Sequence, residues 1–360
     1  MDRPGPPDKL VHSRASAPNR RRPGRWELKL IDIVGKRGWY FLISAFIILP
    51  GLISLIVPPG WASGESGLNP GIDFTSGSVL QVSFDSPVSE QQIQERMNQM
   101  GHSEALIQRT GERSFFIRTK LLAEPVGDLP SEREFLEQDL EDSFGLVRDQ
   151  IKFDSVSPIV ASETVINAFF ALLAASVFIL LYIWYAFRRV PKSYRYGVAA
   201  ILALVHDVII VIGVFSILGK VLNMEVNSMF IVGVLIVAGY SVNDTIVVFD
   251  RIRENTIRFP DRALATLVNM SIMDTMGRSL NTSFTTLFVL LALLLMGGPS
   301  IRGLLLVVAI GAVVGTYSSI FIASQFIVIW DRGELGKLIG RGRRATSATA
   351  TTLMSVILGR

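Results

Sequence analysis

Six long apolar stretches dominate this 360-residue chain. Each is about as long as the 20 residues a helix needs to cross a hydrocarbon core. They cover residues 39–57, 162–187, 197–218, 227–249, 279–297 and 303–329. Composition agrees: 49% of residues are hydrophobic, only 18% are charged, and the mean hydropathy is +0.43. Such a balance belongs to a polytopic membrane protein. Cysteine is absent, which excludes disulfides, thiolate metal sites and thiol nucleophiles. His12, His102 and His206 are too few and too scattered for a metal site, so no cofactor is expected.

Flanking charge sets the orientation. Ten basic residues precede Trp39, from Arg3 to Arg37. Arg188, Arg189, Lys192 and Arg195 join the second and third spans. Arg251, Arg253, Arg258, Arg262 and Arg278 join the fourth and fifth, and Arg332, Lys337, Arg341, Arg343 and Arg344 follow the sixth. The opposite short loops hold only Lys220 and Arg302. Both termini are therefore predicted to be cytoplasmic. The same distribution accounts for the isoelectric point near 9.4 without nucleic-acid binding. No cleavable signal peptide is expected, because the first apolar run starts only at Trp39 and no small-residue cleavage pattern follows it.

Residues 58–160 are different in kind, with 8 basic and 17 acidic side chains. Val79-Leu80-Gln81-Val82-Ser83-Phe84 alternates like a strand, with Leu80, Val82 and Phe84 on one face. Ser89 and Gln92 form a capping box for a helix ending near Gly101, and Pro130-Ser131-Glu132-Arg133-Glu134 starts another. Residues 105–109 and 115–119 flank a hairpin turn at Gly111-Glu112, and residues 147–153 read as a last strand. The order βαββαβ is that of a ferredoxin-like unit. The predicted architecture is an α-helical polytopic membrane protein with six transmembrane helices. One extracytoplasmic α+β ferredoxin-like domain lies between the first and second spans. Its parts are a cytoplasmic basic tail with an interfacial helix (1–38), the first span (39–57), the extracytoplasmic domain (58–160), a five-helix membrane region (161–330) and a cytoplasmic tail (331–360). The tail is expected to be disordered over residues 1–24. Trp26, Leu28, Leu30, Ile31, Ile33 and Val34 are expected to form a helix lying on the inner membrane surface. Residues from 340 onward are also expected to be disordered.

The polar residues inside the spans carry the functional reading. Asp244 lies in the fourth span, roughly 10 Å inside the boundary marked by Arg251 at 1.5 Å per residue. A carboxylate there has an insertion cost of roughly 2.5–3.5 kcal/mol, which points to a role. Tyr240, Asp244 and Val247 share a face, with Asn243 beside them. The fifth span enters from the same side with Arg278, Asn281, Thr282 and Thr285, and Arg278, Thr282 and Thr285 fall on one stripe. Asp244 and Arg278 lie at comparable depth and could pair. Burial favours the neutral acid and a nearby guanidinium the charged one, so a pair that opens and closes would link protonation to shape. His206 and Asp207 lie near mid-depth in the third span. Gly311-Ala312-Val313-Val314-Gly315 is a small-xxx-small motif for close helix packing.

Several motifs resemble the SecD/SecF family, in that family's order. They are Asp32-Ile33-Val34-Gly35-Lys36-Arg37, Gly71-Ile72-Asp73-Phe74-Thr75-Ser76-Gly77, Leu204-Val205-His206-Asp207, the run 239–255, Arg278-Ser279-Leu280-Asn281-Thr282-Ser283, and Gly315-Thr316-Tyr317-Ser318-Ser319-Ile320. The chain departs from the family at Thr75-Ser76-Gly77, where a Gly-Gly pair is usual. The resemblance implies a SecF-like subunit that works with SecD, in the resistance-nodulation-division superfamily. Such a subunit uses the proton-motive force to help preproteins through the SecYEG channel in the bacterial inner membrane. YajC and YidC are further candidate partners, beside the preprotein and the lipid bilayer, with no nucleic acid. Asp244 and Arg278 match the family's proton-pathway aspartate and arginine, and Asp207 matches a third motif position. Asn243, Tyr240, Asn281 and Thr282 are supporting polar residues. No nucleotide-binding loop ending Gly-Lys-Ser/Thr is present, so the chain reads as a non-enzymatic, proton-driven subunit. The main rival is a proton-coupled exporter of small molecules or lipids; its single small domain and six spans weigh against it. An intramembrane aspartyl protease using Asp207 and Asp244 lacks the Gly-x-Gly setting, and a structural scaffold would tolerate Asp244→Asn.

Overall fold

The computed structural model describes residues 31–57, 67–123, 130–188, 190 and 192–334. The basic tail, Trp26, Leu28 and Leu30 of the expected surface helix, and the C-terminal tail from 340 onward lie outside the described residues. In chain order the elements are α1 (Arg37–Ile56), α2 (Ile72–Thr75), β1 (Gly77–Ser83), α3 (Glu90–Gln99), β2 (Leu106–Arg109), β3 (Ser114–Thr119), α4 (Glu132–Phe144) and β4 (Lys152–Val156). Then follow α5 (Pro158–Ala186), α6 (Tyr194–Leu222), α7 (Ser228–Arg258), α8 (Leu264–Met296), α9 (Pro299–Ser318), a π turn (Ser319–Ala323) and α10 (Ser324–Asp331). The last three form one continuous span, so among the described residues six helices are long and apolar enough to cross a membrane.

The domain inserted after α1 is a four-stranded sheet of order β2-β3-β1-β4, antiparallel throughout. With α3 and α4 this is the ferredoxin-like βαββαβ arrangement. Both helices begin as their sequences dictate. Ser89 and Gln92 exchange side-chain and backbone hydrogen bonds, as do Ser131 and Glu134, which satisfies donors that a helix start otherwise leaves open. Leu80, Val82 and Phe84 are buried against Ile93, Met97, Leu136 and Leu140, and each such burial contributes about 1.5–3 kcal/mol. The last strand starts later than its sequence suggests. Residues Arg148–Gln150 form a 3₁₀ turn instead. Arg148 reaches back to Glu141 and to Gln138 (Nη2–Oε1 2.6 Å), turning the chain before Lys152 can pair with Gln81.

In the helical region, α6, α7 and the last span make the buried centre, while α1, α5 and α8 surround them. Phe46, Phe178 and Phe288 on these outer helices are 76, 72 and 70% exposed. Faces this apolar suit a hydrocarbon solvent rather than water. Glycine sets the closest approaches. A Cβ on Gly51 would lie 2.7 Å from the Cα of Gly213, which fixes the α1–α6 crossing. A Cβ on Gly311 would overlap the Val237 side chain, and one on Gly315 would stand 3.1 Å from Ser241 Cβ. The small-xxx-small pattern thus seats the last span on α7.

Two departures from the sequence reading occur at the arginine-rich end. Helix α7 runs on to Arg258 and α8 starts at Leu264, well outside the apolar windows. The extension is zipped by side chains: Asn255 Nδ2 donates to Ser271 Oγ at 2.8 Å and Arg251 pairs with Asp274 at 2.7 Å. Ile33 and Val34 do not lie on a surface either; they are 2% and 4% exposed. Asp32 Oδ1 accepts from Gly35 N at 2.7 Å to make a tight turn. Asn269 Oδ1 accepts from the amides of Ile33 and Val34 at 2.9 and 3.2 Å. The turn satisfies the backbone and lets both side chains enter the core.

Ser76 has φ 63° and ψ 169°, a region that only glycine enters freely, and Gly77 follows at φ 125°. The position that departs from the usual Gly-Gly pair is therefore the strained one. Ser76→Gly should raise stability by about 1 kcal/mol, read as a higher thermal unfolding midpoint of detergent-purified protein.

Candidate functional site

Asp207 and Asp244 are both buried, 0% and 4% exposed, on the neighbouring helices α6 and α7. Their surroundings differ. Asp207 Oδ2 accepts from Ser241 Oγ at 2.6 Å and Ser318 Oγ at 2.7 Å, and Oδ1 lies 2.9 Å from His206 Nδ1. His206 Nε2 is in turn 3.0 Å from Ser44 Oγ on α1. Two hydroxyls and an imidazole, from three elements, surround this carboxyl group, as burial of a polar group requires.

Asp244 is held by a chain instead. Thr316 Oγ1 donates to Asp244 Oδ2 at 3.1 Å. The Ser283 and Thr316 hydroxyls are hydrogen-bonded, and Tyr240 OH donates to Ser283 Oγ at 3.2 Å. Each hydroxyl has one proton, and Thr316 Oγ1 also lies 2.9 Å from Ala312 O and Ser283 Oγ 2.9 Å from Ser279 O, so these hydroxyls link Tyr240 to the carboxyl group without fixing one direction of donation.

One turn of the last span serves both acids. Thr316 faces Asp244, Ser318 faces Asp207, and Ser319 lies 2.8 Å from Thr245 Oγ1 while donating to Ser241 O at 3.2 Å. The close seating of Gly315 against Ser241 is what brings these hydroxyls within reach. The π turn begins at Ser319; such turns widen a helix locally and concentrate where function needs it.

The other sequence-predicted residues are placed as follows. Tyr240 joins the Asp244 chain. Asn243, adjacent in sequence, is exposed on another face of α7. Arg278, Thr282 and Thr285 form the expected stripe on α8, but it is exposed in the single chain, as is Asn281 beside it. Thr282 and Thr285 bond back to the carbonyls of Arg278 and Asn281, each at 3.0 Å. Arg278 lies within electrostatic range of Asp244 but makes no ion pair with it here. It instead lines an open cleft of about 400 Å³ with Val247, Asp250, Glu254 and Asp274. That cleft opens at the arginine-rich end and reaches Val247, three residues along α7 from Asp244. Sequence reasoning missed Ser241, Ser318 and Thr316 as direct partners of the acids, and Ser44 and Ser283 one hydrogen bond further out. Among the described residues no group of three or more His, Cys, Asp or Glu could hold a metal ion.

The difference between the two acids has a measurable consequence. Asp207→Ala leaves buried donors without an acceptor and should cost about 1–3 kcal/mol, lowering the unfolding midpoint. Asp244→Asn keeps shape and an acceptor for Thr316, and should leave that midpoint close to the parent value.

Residues 137–333 match the family described as protein export membrane protein SecD/SecF, C-terminal, and residues 61–88 match the SecD/SecF GG motif. The protein translocase subunit SecF of Thermobaculum terrenum is 40% identical over 326 residues, covering 89% of this chain and all of that one. The corresponding subunit of Anaerolinea thermophila is 36% identical over 322 residues, with 89% and 100% covered. Among solved structures, SecDF of Thermus thermophilus, a translocon-associated membrane protein, is 33% identical with a TM-score of 0.68. The match covers 84% of this chain and only 38% of that longer one.

Proposed function

This chain belongs to the SecD/SecF family of protein-export membrane proteins, and we propose that it is a SecF-like subunit that couples proton entry to preprotein translocation. The observation that carries the reading is Asp244. It is a carboxylate buried in a span, linked to the hydroxyls of Thr316, Ser283 and Tyr240 and one turn from a polar cleft that also holds Arg278. The cleft brings water and counter-charges toward the acid from the arginine-rich side. The hydroxyls of Tyr240, Ser283 and Thr316 connect to it within the bundle. In the present arrangement Arg278 is off the acid; approach of its guanidinium favours the anion, and withdrawal favours the neutral acid. A shape change that moves α8 against α7 therefore changes proton affinity, and proton binding biases the same shape change. Asp207, with its acceptors already occupied, acts as the fixed acceptor that orients Ser241 and Ser318.

The partners follow from what is left open. Arg278, Asn281 and Thr282 form a polar stripe on a helix otherwise suited to lipid, and a second six-span unit of the SecD type is the cover we propose for it. The assembled pair acts beside the SecYEG channel, with YajC and YidC as further associates, in the bacterial cytoplasmic membrane. Both termini are inside, and the ferredoxin-like domain is outside where the preprotein emerges. No step of this cycle makes or breaks a covalent bond other than to the proton.

The test is Asp244→Asn as the sole copy in cells. Precursor should accumulate at unchanged membrane abundance, and vesicles should lose the gradient-dependent part of translocation. Normal export would remove proton coupling at this residue.

A further inference from the structure

The inserted domain and the loop between α6 and α7, residues 223–227, are joined by contacts of three physical kinds. The first is backbone pairing. Val226 N donates to Asn69 O at 2.8 Å and Gly71 N donates to Val226 O at 2.7 Å, making a short parallel bridge at Pro70. Gly71 permits it, since a Cβ there would stand 3.2 Å from Val226 O and 3.3 Å from Glu225 Oε2. The second is a carboxylate on a helix start: Asp73 Oδ2 accepts from Ser228 N, the first residue of α7, at 2.7 Å. The third is a partly buried ion pair between Arg118 of β3 and Glu225, with Arg118 Nη1 also donating to Pro70 O at 3.0 Å. Gln108 Nε2 of β2 adds a bond to Asn223 O at 3.1 Å, where α6 ends in the left-handed conformation.

The place of this joint gives it meaning. Helix α7 runs without a break from Ser228 to Asp244, about 24 Å at 1.5 Å per residue. Helix α6 leaves the same loop in the other direction and carries Asp207. Both acid-bearing helices are therefore gripped at their ends by the domain. The ion pair is also costly to leave incomplete. Burial pushes the Arg118 guanidinium pKa down, an arginine nevertheless stays charged, and its Nε has no hydrogen-bond partner. Glu225 is what compensates that charge.

We propose that Asp73, Arg118 and Glu225 are positioning residues that weld the inserted domain to the α6–α7 loop, so that domain movement and the geometry around Asp244 are one coupled motion. The inference rests on the proton-coupled reading above. It adds the route by which work at the acid reaches the domain. Because linkage is reciprocal, the same weld carries load on the domain back to the acid.

The test compares variants in vesicles that contain the assembled translocase, measuring proton uptake and gradient-stimulated preprotein movement separately. Arg118→Glu should lower stimulated translocation by about fivefold or more while proton uptake persists. The exchange Arg118→Glu with Glu225→Arg should restore at least part of the lost translocation. Full stimulation with Arg118→Glu alone, while Asp244→Asn is inactive in the same vesicles, overturns the weld and leaves proton coupling intact. Activity of Asp244→Asn would instead remove the reading beneath it. A second measurement does not depend on a tolerated variant. The native chain has no cysteine, so spin labels at Glu112→Cys in the domain and Leu222→Cys, an exposed position where α6 meets the loop, report the spacing of the two sides directly. One narrow distance, unchanged by an imposed gradient, is expected; a broad or gradient-shifted distribution overturns the weld.

Discussion

The seating of the last span on α7 is the contact on which the interior of this molecule depends. Without a side chain at Gly311 or Gly315, the two helices approach closely enough for single hydroxyl groups to bridge them. Thr316, Ser318 and Ser319 then fall between two carboxylates that would otherwise face hydrocarbon. A side chain at Gly311 would overlap Val237, and one at Gly315 would crowd Ser241, beside the hydroxyls that make these bonds. In lipid, where apolar contact alone gives little drive for helix association, close packing and such polar bridges are what hold a bundle. Packing and polar chemistry are thus one feature here.

The inserted domain follows a different physics. It folds by burying one face of a sheet under two capped helices, as small soluble domains do. It does not hang from the membrane by its two peptide connections alone. Phe74 and Leu68 pack with Val226 and Phe230 at the head of α7, and β4 passes through Ser157 directly into α5. Apolar contact, backbone pairing and charge meet over a few residues at one end of the bundle. A joint made that way resists bending in more directions than any one kind of bond could.

Much of the fold was legible because it follows from period and capping. The six spans, the alternating face of Leu80, Val82 and Phe84, and the two capping boxes are local signals, and local signals survive folding. What sequence could not show depends on partners distant along the chain. Val147 carries a strand-like pattern, yet the pull of Glu141 and Gln138 on Arg148 turns the chain there. Ile33 and Val34 look like a membrane-surface stripe until Asn269, more than 230 residues later, takes their amides. Adjacent Asn243 and Asp244 differ by about 100° around the helix, so proximity in sequence placed them together while the fold separates them. Serines and threonines in apolar spans read as ordinary packing glue, and only the register of the last span reveals which of them meet an acid.

The π turn at Ser319–Ala323 has a consequence for the span that contains it. It sets the rotational phase between two rigid stretches: the one that presents Thr316 and Ser318 to the acids, and α10, whose end is pinned by Arg195 to Asp331 at 3.6 Å. If the turn tightened to ordinary α-helix, everything beyond it would rotate by about 100° relative to what precedes it. With α10 anchored, that rotation falls on the hydroxyl-bearing side. The turn therefore sets by angle, as well as by distance, which hydroxyl of the last span meets which acid.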